Sequence, residues 1–101
     1  MLPEADDYYW RMAARQRLLL IDEGRTALCT FSLLDREEEI PLAYDRPCWS
    51  LPIDRPHGTI VYIDKLVART FSRKLFRAIE QVLADRVPWW QQAVWYRPGR
   101  D

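Results

Sequence analysis

Glycine is scarce in this chain: three in 101 residues, at positions 24, 58 and 99. No Walker-type phosphate loop or serine nucleophile elbow can be assembled from them. The two cysteines stand nineteen residues apart and there is one histidine, so neither a CxxC pair nor a zinc-ligand set is present. Cys29 falls on the apolar face of an expected strand and Cys48 in a loop. No disulfide is expected, and a reducing, intracellular setting such as the cytoplasm fits. Apolar runs such as Leu18–Ile21 are far too short to span a bilayer, and no signal-peptide pattern opens the chain, so a soluble protein is expected. Net charge is zero, which gives no global field toward nucleic acid or an anionic membrane.

What is present is aromatic and unevenly charged. Thirteen of the residues are aromatic, five of them Trp, within an apolar content of 49%. That composition suits one small folded domain over residues 1–101, stabilised by large side chains and with one or two aromatics to spare for contacts. Residues 1–66 carry a formal charge of −4 and residues 67–101 a charge of +4. Such a dipole suits an acidic partner or phosphate ligand at the basic end, or a contact between the two halves of the chain.

Pro3–Arg15 reads as a helix with Glu4, Asp6 and Asp7 near its positive end and a stripe of Ala5, Tyr9, Met12 and Ala13. Tyr8 and Trp10 lie off that stripe. Arg17–Asp22 and Thr26–Leu34 read as an antiparallel hairpin turning at Gly24, the second strand alternating cleanly between its faces. Residues 35–57 read as a long loop holding four prolines, with Trp49 and Leu51 pinning it to the core. Its Glu37, Glu38 and Glu39 form either a solvated turn or an acidic docking patch.

Gly58–Val67 then reads as the central strand. Ile60, Tyr62, Asp64 and Leu66 are expected on one face, and Val61, Ile63, Lys65 and Val67 on the other, with both faces covered as in α/β layering. Asp64 is out of place on such a strand. It either pairs with an arginine of the following helix or lies near a site at the strand's end. Ser72–Asp85 is strongly amphipathic through Leu75, Phe76, Ile79, Val82 and Leu83, with Thr70 or Ser72 as its cap. Pro88 stops that helix, Trp89-Trp90 crosses over, and Gln91–Tyr96 forms the last strand. The fold class is therefore α/β (α+β): an antiparallel hairpin plus a central β-α-β unit in a mixed sheet.

The turn Arg69-Thr70-Phe71-Ser72-Arg73-Lys74 is the sharpest chemical signal. Its cations meet the free amides of a helix N-terminus, where each is disfavoured by roughly 0.3–1 kcal/mol unless something offsets it. Either an anion binds there or the side chains point into water. No nucleophile–base pair can be assembled. His57, beside Pro56 and Gly58, suits a turn better than catalysis, and Asp64 and Tyr96 are conceivable proton-transfer groups. Nucleic-acid binding is disfavoured because aromatics and arginines are not interleaved along one surface.

The order of elements, with the segment Tyr62–Leu75 at its centre, resembles the GNAT family of N-acetyltransferases. The resemblance implies that the turn after the central strand holds the pyrophosphate of coenzyme A or acetyl-CoA, through Val67, Arg69, Thr70, Phe71, Ser72, Arg73 and Lys74. It also implies that Ala93–Tyr96 splays away to admit the cofactor. The family's turn is glycine-rich, whereas no glycine lies between Gly58 and Gly99 here, and a Cβ at each position hinders approach of the backbone to a pyrophosphate. No counterpart of the family's C-terminal helix, last strands or general-acid tyrosine is found. The chain is also similar to small, truncated GNAT-like proteins of tailed phages, some of them virion or assembly components. The expected function is therefore protein–protein interaction on a degenerate GNAT-like scaffold, in a phage-type assembly or host-interaction role, with Trp10, Trp89 and Trp90 as contacts. The alternative is an acyl-CoA-dependent N-acyltransferase using Asp64 or Tyr96. A homo-oligomer is reasonable given unpaired outer strands.

Overall fold

The computed structural model describes residues 3–22 and 26–95. In chain order these form helix α1 (Pro3–Ala14), strands β1 (Leu18–Asp22) and β2 (Thr26–Leu34), a 3-10 turn (Glu37–Glu39) leading into helix α2 (Ile40–Tyr44), strand β3 (Ile60–Val67), helix α3 (Arg73–Arg86) and strand β4 (Gln92–Trp95). The strands lie in the order β1-β2-β3-β4, antiparallel across the first two pairings and parallel across the last. This is the expected small α/β domain, a hairpin extended by a β-α-β unit.

Helix α3 covers one face of the sheet. Its Leu75, Ala78, Ile79 and Leu83 bury against Leu19 and Ile21 of β1, Cys29, Phe31 and Leu33 of β2, and Val61 and Ile63 of β3. The apolar period of the helix matches the period of two on each strand, so both write their large side chains into the same layer. Ser72, with extended backbone, caps the helix by accepting from the Leu75 N–H at 3.2 Å. Parallel strand β4 then pairs Gln92–Trp95 with Ile60–Ile63. Over those four pairs the last strand lies hydrogen-bonded to β3 and does not splay from it.

Helix α1 and the 35–59 segment cover the opposite face. The buried side of α1 is Ala5, Tyr8 and Met12, while Tyr9 is half-buried and Ala13 exposed. The expected stripe through Tyr9 and Ala13 is thus rotated onto Tyr8. Spacings of three and four are equally helical, and the choice between them is made by the partners waiting for the Tyr8 hydroxyl. The helix ends at Gln16, a left-handed residue (φ 62°), with the Arg17 N–H closing onto the Met12 carbonyl at 2.8 Å.

The 35–57 segment is no structureless loop. Glu39 is buried, accepts from the Asp35 N–H at 2.8 Å, and pairs with Arg55 at 2.7 Å. It is a brace, and the expected acidic run is split: Glu37 and Glu38 stay exposed. Asp54 accepts from both Arg17 Nε (2.8 Å) and the Leu33 N–H (3.0 Å), and the Arg55 N–H reaches the Leu33 carbonyl (2.7 Å). Gly58 follows where the chain crosses β2. A Cβ there would stand 2.6 Å from the Leu34 carbonyl oxygen, so only glycine fits.

Strand β3 departs from simple alternation. Thr30 pairs with Lys65 but the next residue, Phe31, pairs with Ile63, leaving Asp64 as the extra residue of a β-bulge. Beyond the bulge the faces exchange. Leu66 packs under α3 with Val61 and Ile63, while Lys65 joins Tyr62 and Asp64 on the α1 side. The expected assignment of Leu66 and Lys65 is therefore reversed, because a single inserted residue shifts the parity of everything after it.

Candidate functional site

The bulge concentrates polar groups on the α1 side of the sheet. The Asp64 carboxylate, its side chain 3% exposed, accepts from the Arg46 guanidinium and from the Tyr8 hydroxyl. Since the Tyr8 proton goes to Asp64, the Thr30 hydroxyl donates to the Tyr8 oxygen at 2.6 Å. The Thr30 oxygen in turn accepts the Lys65 N–H at 3.1 Å, which satisfies the backbone at the bulge. Arg46 also donates to the Ala43 carbonyl and, through Nε, to the Ser50 carbonyl at 3.0 Å. Asp64 thus forms a salt bridge, as one sequence reading expected, but its partner is Arg46 of the 35–57 segment and not an arginine of α3.

The electrostatics follow from burial around one carboxylate. Desolvation, reinforced by the hydrogen bond to Asp64, pushes the Tyr8 phenol far above the ordinary tyrosine range. Desolvation and then the Asp64 charge raise Tyr62 to about 12. Cys29, under α3, is also pushed up to about 12, chiefly by burial.

Trp49 roofs the cluster. Its ring meets Tyr8 and Tyr9 at centroid distances of 5.6 and 5.8 Å, and the Lys65 ammonium lies 5.0 Å from its centroid. Trp49 adopts φ 64°, a left-handed conformation that costs a bulky residue of order 1–3 kcal/mol and persists only where the surroundings impose it. The expected anchoring of the loop by Trp49 is therefore real and strained.

On either side of this Tyr9–Trp49–Lys65 ridge lies a concavity. One, of about 220 Å³, is lined by Tyr44, Arg46, Pro47, Cys48, Tyr62, Asp64 and Lys65. The other, of about 280 Å³, is lined by Asp6, Tyr9, Trp10, Leu28 and Val67. The second continues across the sheet, because Leu20 pairs with Leu28 and Leu28 with Val67, placing three apolar side chains in one row. The row's two ends and the ring beside it are uncovered, with Leu28 half-buried between them: Trp10 is 76% exposed, Leu20 67% and Val67 55%.

The sequence-derived candidates are scattered relative to this arrangement. Val67 lies in the apolar row. Arg69, Thr70, Phe71, Ser72, Arg73 and Lys74 are all exposed around the start of α3. His57 sits in an exposed turn before β3, at the far end of the strand from Asp64. Tyr96 lies outside the described residues. Of the three tryptophans, only Trp10 is a freely presented ring. Trp89 is 44% exposed, with its indole N–H donating to the Gly58 carbonyl at 2.9 Å. Trp90, the third expected contact, is partly buried and packs against the α3 core.

Thr30, Arg46 and Lys65 were not singled out in the sequence, and nothing in their local spacing marks them, while Tyr8 was seen only as lying off the helix stripe. Asp64 was the one available signal. Among the described residues no group of His, Cys, Asp and Glu could hold a metal ion, and no helix is long and apolar enough to cross a membrane. Comparison of the chain with protein-family models, curated proteins and solved structures finds no match.

Proposed function

We propose that this chain is a protein-interaction module that docks a partner on the uncovered row Leu20–Leu28–Val67 and the Trp10 ring beside it. The observation that carries this reading is the continuity of that apolar surface. Scattered exposed apolar residues are normal, but a contiguous set spanning three strands and a helix is the mark of a contact surface. Asp6 at the rim of the groove favours a partner that brings a basic group alongside its apolar anchor. The GNAT-like order of elements supports a scaffold of that kind with the glycine turn lost, and the phage resemblance suggests an assembly or host-interaction role. Two free cysteines suit a reducing compartment. The test is site-specific photo-cross-linking: a benzoylphenylalanine replacing Trp10 should capture a discrete partner in the native cell, and one replacing exposed Gln81 on α3 should not.

A second reading, an acyl-CoA-dependent N-acyltransferase, draws on the exposed Arg69, Arg73 and Lys74, which make no ion pair among the described residues, beside the first amides of α3. Calorimetric titration with coenzyme A and acetyl-CoA checks it. On that reading binding is micromolar and Arg73→Glu weakens it by well over tenfold, a loss above about 1.4 kcal/mol. Silence at millimolar ligand removes the reading.

A further inference from the structure

We propose that the 220 Å³ pocket between the 44–48 segment and β3 is a binding site for a small oxyanion, a carboxylate or a phosphate monoester with a compact apolar body. The reading does not depend on the docking surface across the ridge. Three charged groups line the pocket, Arg46, Lys65 and Asp64, and their formal sum is +1. The one negative charge is already committed to Arg46 and the Tyr8 hydroxyl. Lys65 makes no ion pair among the described residues. Its ammonium is held over the Trp49 ring at 5.0 Å, and the residue borders the pocket.

Two independent features of the backbone bring that ammonium there. Without the bulge at Asp64, alternation would send Lys65 under α3, into the apolar layer. Bulges gather next to sites because they re-aim a side chain in this way. Trp49, which steadies the ammonium from the other side, is held at a positive φ. Strain of that kind clusters at ligand sites. Tyr62, a buried neutral phenol whose pKa is pushed up to about 12, also borders the pocket. Tyr44, Pro47 and the Tyr62 ring supply apolar walls. The volume is below the roughly 300–1,000 Å³ of drug-sized pockets, so the ligand is small.

Cys48 provides the readout. It is an exposed free thiol that lines this pocket, whereas Cys29 is buried, with its thiol pushed up to about 12, and stays silent at mildly alkaline pH. Alkylation of Cys48 by iodoacetamide, a neutral reagent, is followed by mass spectrometry at fixed ionic strength. Inorganic phosphate or benzoate is titrated against chloride. The expected result is slowing by the oxyanion and not by chloride, about tenfold when the ligand stands at roughly ten times its Kd. Protection by phosphate alone assigns a phosphate ligand, and protection by benzoate alone a carboxylate. Lys65→Met should abolish protection, judged against that variant's own ligand-free rate, and Lys65→Arg should retain it. Absence of protection by either anion in the wild-type protein overturns the proposal, as does protection that persists in Lys65→Met.

Discussion

At the scale of single residues, the fold is tied together by one buried carboxylate. Asp64 holds α1 through Tyr8 and the 35–57 segment through Arg46, so three parts of the chain distant in sequence meet on it. Removing one partner of a buried ion pair leaves the other uncompensated, and Arg46→Leu should cost about 3–5 kcal/mol in urea unfolding. Tyr8→Phe keeps the ring but loses the hydrogen bond to the charged Asp64 and the one accepted from Thr30, for an expected cost of about 1.5–3 kcal/mol, dominated by the charged acceptor. A cost near zero for both would mean that the cluster does not contribute to stability. The same groups set an alkaline limit. Tyr8 and Tyr62 have folded pKa values raised above their unfolded ones, so the native state retains protons that the unfolded chain releases. Their contribution is complete below the ordinary tyrosine pKa of about 10 and falls as pH rises through about 12 for Tyr62. Midpoints of urea unfolding should decline above about pH 10 in the wild type, and less steeply in Tyr62→Phe. The sequence showed Asp64 to be anomalous but not its partners. Arg46 comes from an irregular segment, and selecting Tyr8 over Tyr9 requires knowing which hydroxyl finds an acceptor.

At the scale of elements, the hairpin, β3, α3 and β4 were legible because each carries a strong period bounded by turn residues. The cap was narrowed to Thr70 or Ser72, of which Ser72 is the one used, and Pro88 after α3 was equally readable. Two features were not. The bulge was not anticipated: simple alternation sets Asp64 and Lys65 on opposite faces, whereas the extra residue brings both to the α1 side. The conformation of 35–57 depends on long-range contacts from Glu39, Asp54 and Arg46 that no local pattern encodes. Gly58 was seen as a strand start, whereas its role is close approach to β2. Gly58→Ala should destabilise by about 1–3 kcal/mol, because the obstructing atoms are the Leu34 backbone and cannot swing aside. Gln16 offers the opposite case. It sits at a left-handed helix end that glycine prefers, and Gln16→Gly should raise stability by about 1 kcal/mol. Thermal unfolding of the two variants, moving in opposite directions, checks both positions.

At the scale of the whole molecule, the two faces of the sheet have different fates. The α3 side is an apolar layer with a concavity of about 400 Å³ at its β4 edge, bordered by Ile63, Phe76, Ile79, Leu83, Val94 and Trp95. The α1 side divides into a buried polar cluster, a small cation-bordered pocket and an uncovered apolar row. Among the described residues the ion pairs Arg11–Asp7, Arg17–Asp54, Arg46–Asp64 and Arg55–Glu39 all lie within the acidic half, so each cancels one charge of either sign there and the −4 to +4 division of the two halves stands. Surface substitutions such as Val67→Glu should leave stability within about 0.5 kcal/mol, so they separate docking from folding. The most direct measurement is photo-cross-linking from position 10 in the native cell, with and without Val67→Glu in the same chain. The docking account predicts a discrete adduct from Trp10→benzoylphenylalanine, lost with Val67→Glu and absent from the probe at Gln81. No adduct at position 10, or one that is equal at Gln81 and indifferent to Val67→Glu, would contradict it.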